Sequence, residues 1–209
     1  MRARKIAAAT FWMVAEAVCY AAAPDRLTVV VFNLAGASHS VLAEAAEEAR
    51  RTFAAAGVET AWIVCNGPLG STRHCTPLPV GTFVQVRVVP EAFDGAGLSQ
   101  EALGLAAGCS AFEGCFISWV FYRRVLAYVD HTQISLAVAL ASVMAHEIGH
   151  LMGMSHSPCG IMKTNLKWRD LLDAEQGRLR FPEDDAERLR AAVALWTDTT
   201  APRALAEAK

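Results

Sequence analysis

Charge is scarce in this sequence. Charged residues make up 19% of 209, apolar residues 54%, and the formal net charge is −2. No stripe of lysine and arginine occurs, so the electrostatic footprint of a nucleic-acid binder is missing. There is no internal repeat and no low-complexity linker, and the length suits one domain with a proper core. Among six cysteines there is no C-x-x-C pair, which argues against a zinc site built of cysteine alone. After residue 23 no stretch is long and apolar enough to span a bilayer. These absences leave a folded, globular composition.

The start of the chain reads as an address. MRARK is basic, IAAATFWMVAEAV is mostly apolar, and small residues follow around Ala21–Ala23. This predicts a secretory signal peptide over residues 1–22 and a secreted or periplasmic protein by bacterial-type export. Cleavage after Ala21 or Ala22 is favoured over Ala23, because Pro24 would then follow the cut. Glu16 interrupts the apolar run, and an uncleaved anchor or an amphipathic helix are the alternatives. Few residues separate this segment from the first strand, so no folded pro-segment is expected.

Export suits the cysteines. Cys65 and Cys75 bracket a turn-rich loop, CNGPLGSTRHC, and a disulfide is expected there. Cys109 and Cys115 bracket CSAFEGC and form a candidate second pair. Cys159 is then left over, unless it pairs with Cys109 or Cys115; connectivity stays open.

The chemistry concentrates in VMAHEIGHLMGMSHSPCGIM, Val143–Met162, which contains H-E-x-x-H-x-x-G-x-x-H. On a helix, residues turn by about 100° each, so His146 and His150 lie one turn apart on one face and can share an ion. Glu147 points away from that face, too far round to ligate comfortably but placed to touch a water held by the metal. Gly153 permits a sharp turn with positive φ, which brings His156 back as a third ligand. Three protein ligands leave a tetrahedral position open, the mark of a catalytic zinc, one per chain. His39, His74 and His131 have no spacing partner and read as surface or loop histidines.

HEIGHLMGMSH resembles the signature of the metzincin metallopeptidases, and Met162, six residues past His156, resembles the methionine of their Met-turn. The run is also similar to small bacterial metzincin-like proteins, relatives of the matrixin and archaemetzincin types. The resemblance implies a secreted zinc endopeptidase acting on a peptide or protein substrate. In it a zinc-bound water attacks the peptide carbonyl, with Glu147 as general base and then acid. It implies that Met162 packs beneath the metal as a structural floor without ligating it. Thr164 occupies the place where some metzincins carry a tyrosine ligand, so no such ligand is carried over. The family's cleft strand, the last before the zinc helix, has candidates here in Phe83–Val89 and Phe116–Tyr122. An aminopeptidase-type zinc hydrolase of the archaemetzincin branch is one alternative, though the C-x-x-C spacing expected of that branch's second zinc site is missing. A secreted, zinc-stabilised binding module without turnover is another; the intact Glu147 argues against it.

The remaining pattern gives the frame. Leu27–Leu34 and Val58–Cys65 read as strands flanking a helix at Ser40–Ala56, hence a parallel pair with a right-handed crossover. Phe83–Val89 and Phe116–Tyr122 read as further strands, and Pro90–Cys115 as loop. Arg123–Asp130 is open between helix and loop. A long helix begins at Gln133 or Ser135, and Pro182 opens an amphipathic C-terminal helix. Trp168 and Leu171–Leu172 are expected to pack under the site. The predicted fold class is α+β, metzincin-like: a twisted mixed sheet of four to five strands with two helices, the zinc-motif helix under the sheet, and a small lower lobe holding the C-terminal helix. Residues 23–198 form the single catalytic domain, 199–209 a flexible tail. A monomer is expected, with no nucleic acid and no stable membrane insertion after signal cleavage.

Overall fold

The computed structural model describes residues 26–66, 83–93, 98–108, 116–130 and 132–207, with 198–207 described by their backbone alone. The expected signal peptide, His74, His131, Cys75, Cys109 and Cys115 lie outside these residues.

The chain begins with β1 (Arg26–Asn33), α1 (His39–Ala55) and β2 (Glu59–Asn66), and β1 pairs with β2 in parallel as the sequence predicts. β3 (Val84–Val89), β4 (Gly104–Gly108) and β5 (Phe116–Phe121) complete a mixed sheet of order β2-β1-β3-β5-β4. Only β4 runs antiparallel, against β5. Then come α2 (Tyr122–Val129), α3 (Leu136–Leu151), α4 (Trp168–Glu175) and α5 (Glu183–Glu207). The described residues thus hold five helices, not two and a terminal one.

β4 corrects the expectation of a loop over Pro90–Cys115. Its sequence, GLAAG, has no β-branched residue and no alternation, so it carries no strand signal of its own. It is a strand because β5 offers it a ladder, from Gly104 opposite Val120 to Gly108 opposite Phe116. α2 settles the ambiguous Arg123–Asp130 as helix, anchored by buried Val125 and Val129. α5 continues to Glu207, into residues 199–209 where a flexible tail was expected. Leu189, Val193 and Trp196 are the buried residues that anchor its first half.

α3 lies under the sheet, against α1, β4, β5, α2 and α4. Ser135 caps it, its hydroxyl accepting from the Ala137 N–H at 3.2 Å. Fourteen of its sixteen residues are buried, so it has no solvent face. Each buried leucine, isoleucine, valine or methionine contributes about 1.5–3 kcal/mol, enough together to hold a polar pair in the same helix. One continuous core joins α3 to β1, β3, α1 and α5. Arg190 of α5 also donates to the Ala56 carbonyl at 2.9 Å, which fastens the C-terminal helix to the end of α1.

Trp168 does not pack under the site: it is 52% exposed, and Leu171 is the fully buried residue of α4. Cys65 is buried and disulfide-bonded, with its partner outside the described residues. Cys159 is an exposed free thiol. His39 is exposed at the start of α1, its Nδ1 accepting from Asn66 Nδ2 at 2.7 Å.

Candidate active site

His146 and Glu147 are buried in the last turns of α3, at 8% and 6% exposure, and His150 is half-buried one turn on. The helix then stops in a Schellman turn. Gly153 takes φ +81°, its N–H bonds the His150 carbonyl at 2.9 Å, and the Met154 N–H reaches back to the Gly149 carbonyl at 3.0 Å. The turn returns His156 to the helix, as the spacing predicts.

The three rings are oriented by the backbone. A carbonyl oxygen can only accept, so His146 Nδ1–H donates to Ile161 O and His150 Nδ1–H donates to Met154 O, each at 2.8 Å. Both Nε2 atoms are therefore lone-pair acceptors in the neutral rings. They face each other at 3.0 Å, and His150 Nε2 lies 3.2 Å from His156 Nε2. Facing lone pairs repel unless a cation lies among them. A tetrahedral zinc bound at about 2.0–2.1 Å needs its nitrogens about 3.3 Å apart, and the cluster is within a few tenths of an ångström of that. The donor set therefore fits zinc, with the second-sphere carbonyls that fix a ligand's tautomer already in place.

Electrostatics agree. Burial pushes His146 down to about 4 against the opposing Ile161 bond, so the ring is neutral and free to ligate at neutral pH. Burial, and then the neighbouring His150, lowers His156 too. Burial alone raises the Glu147 carboxyl to about 8 in the metal-free chain.

Several residues that shape the site carry no sequence signal. Gly104 of β4 is one: a Cβ there would lie 2.5 Å from Glu147 Oε1 and 2.9 Å from Cδ. Gly149 is another, since a Cβ would overlap the sulfur of Met162, which is fully buried against the helix between the two helical histidines. Asp185, in the first turn of α5, is a third. It is 4% exposed and accepts from the Ser157 hydroxyl at 2.5 Å, beside His156. The Ser157 N–H bonds the Met162 carbonyl at 2.8 Å and the Ile161 N–H bonds Arg180 O at 3.0 Å, closing the loop on itself. In the sequence these are ordinary small residues and one acid in an acidic first turn.

The cluster opens into a cleft of about 730 Å³, walled by β4, by Arg124 and Tyr128 of α2, and by residues 163–167. Tyr128 donates to Leu166 O at 3.1 Å, joining two walls. Thr164 lines the cleft. Neither strand expected to border it does so as an edge: β3 lies between β1 and β5, and β5 between β3 and β4. Among the described strands, the edge at the site is β4.

Fold and cluster together define a metzincin-like zinc metallopeptidase with one zinc per chain. The family model of the matrixins matches residues 43–193, and the chain belongs to that family. Among solved structures, the fold is similar to a zinc-dependent peptidase from Methanocorpusculum labreanum, at TM-score 0.55 and 17% identity over 77% of this chain and 99% of that one. It is also similar to archaemetzincin from Methanopyrus kandleri, at TM-score 0.53 and 14% identity over 83% and 99%. No curated protein matches.

Proposed function

We propose that this chain is an exported zinc endopeptidase in which His146, His150 and His156 hold the metal and Glu147 is the general base. One observation carries the reading: three imidazole nitrogens converge beside a buried carboxylate that has no hydrogen bond or ion pair among the described residues. When bound, zinc supplies Lewis acidity, which brings a water toward neutral pKa and polarises a carbonyl. Glu147 takes the proton of the attacking water at its carboxylate and returns it to the leaving amine. The wall of β4, the edge among the described strands, pairs with an extended peptide and sets the carbonyl against this pair. Met162 serves as the floor that fixes the helix face carrying the ligands. The basic and apolar residues 1–22 are the export signal, and the Cys65 disulfide suits an oxidising compartment.

The test is Glu147→Gln. It is expected to keep zinc and the fold while peptide cleavage falls by about 10²–10⁴-fold, the usual contribution of a general acid–base group. If the variant cleaves a mixed peptide library as fast as the parent, Glu147 is not the base. If the zinc-loaded parent cleaves nothing in that library, the binding-module alternative replaces this reading.

A further inference from the structure

We propose that the cleft selects its substrate by a carboxylate, which seats on the guanidinium of Arg124; this rests on the peptidase reading above. Three cations line the cleft, and two have partners. Lys163 is paired with Asp170 at 2.7 Å. Lys167 faces Glu101 at 3.6 Å, with both side chains more than half exposed, a weak pair in water. Arg124 has no carboxylate within ion-pair distance among the described residues. Its charge is the uncompensated one in the lining.

Arg124 is also held in place. Its Nη1 donates to the carbonyls of Ser99 at 3.0 Å and Ala102 at 2.8 Å, and the guanidinium stacks 5.3 Å from the Phe121 ring centroid. Those bonds use the Nη1 hydrogens only. Nε and Nη2, the parallel edge that grips a carboxylate in two bonds, meet no acceptor among the described residues. A fork already fixed in position loses little freedom when it binds, so more of the interaction appears as affinity. A peptide offers such a carboxylate from two sources, an aspartate or glutamate side chain or the C-terminus of a short substrate. The shared chemistry is the carboxylate.

Two series of fluorogenic peptides on the zinc-loaded full chain test this. In one, glutamate is compared with glutamine at each position flanking the scissile bond. In the other, a free C-terminal acid is compared with its amide. In at least one series the acid is expected to have about tenfold higher kcat/KM, equivalent to about 1.4 kcal/mol, and the ratio is expected to shrink as salt is raised. The series that shows it identifies the source. Arg124→Gln should bring that ratio to about one. Because Arg124 also holds the turn before β4, Ala127→Glu is the second variant. Ala127 is exposed, lines the cleft and lies one turn along α2, so the new carboxylate occupies the fork and removes no native bond. It too should abolish the preference. Equal rates for acid and neutral peptides in both series, or a preference that survives both variants, overturns the proposal while cleavage of the neutral peptides keeps the peptidase reading. Failure to cleave any peptide overturns both.

Discussion

The site has two halves of opposite character. His146, Glu147 and His150 ride on α3, which is buried on all sides and packed by five other elements. His156 is exposed, on a loop that owes its place to single bonds: the Gly153 turn, the Ser157–Asp185 hydrogen bond and the Ser157–Met162 backbone bond. One half is positioned by core packing and the other by polar tethers. A rigid half fixes where Glu147, the proposed base, stands relative to two of the imidazoles; a tethered half brings in the third. Changes near α3 should therefore act on turnover with zinc retained, and changes at the tethers on zinc affinity.

The sharpest way to break this division lies on β4. Gly104→Ala places a methyl against Glu147 Oε1, and a carboxylate moved by about an ångström costs roughly 10²-fold in rate. The expected result is a kcat loss of that order with one zinc still bound, read by steady-state kinetics and metal analysis. Loss of zinc instead would mean that the helix half does not stand independently of its ligands. Asp185→Ala comes next. It removes the acceptor of the Ser157 hydroxyl and with it the loop tether, and zinc affinity should fall by up to about tenfold, the worth of one hydrogen bond. Competition with a chelator measures it; unchanged affinity would show that the loop needs no hold from α5.

A smaller effect, read by pH in chelated protein, separates the two buried groups of the α3 half. Burial raises Glu147 to about 8 from 4.5, so the folded state keeps a proton that the unfolded state releases, and stability falls as pH rises through that window. His146, lowered to about 4 from 6.5, acts the other way: stability is lost as pH falls from 6.5 toward 4. Above pH 6.5 only the Glu147 effect remains of the two. The melting temperature of chelated protein should therefore drop between pH 6.5 and 8, and chelated Glu147→Gln should lack that drop. A drop of the same size in the variant would assign it elsewhere.

The two halves were also unequally legible in the sequence. The ligand set was readable because metal geometry demands fixed spacing: His146, Glu147, His150, Gly153 and His156 fall where the pattern puts them. The buried front of α3 and the parallel β1–β2 pair follow from apolar runs in the same direct way. What shapes the site around them was not readable. GLAAG became a strand through its neighbour β5, not through propensity. Gly104 and Gly149 matter for what they lack, and only the approach of Glu147 and Met162 reveals it. Asp185 is one acid among three in a helical first turn, where the dipole alone would explain it. Trp168, expected under the site, is exposed, because an apolar side chain near a motif says nothing about which face its helix turns inward.

In the proposed site three imidazoles, and no thiolate, hold one zinc with a position left open. X-ray absorption at the zinc edge of the purified, zinc-loaded protein tests it most directly. The expected spectrum shows three imidazole nitrogens at about 2.0–2.1 Å with a light oxygen neighbour completing the shell. A sulfur at about 2.3 Å, which would recruit the free Cys159, or a shell closed by four protein ligands, would contradict it.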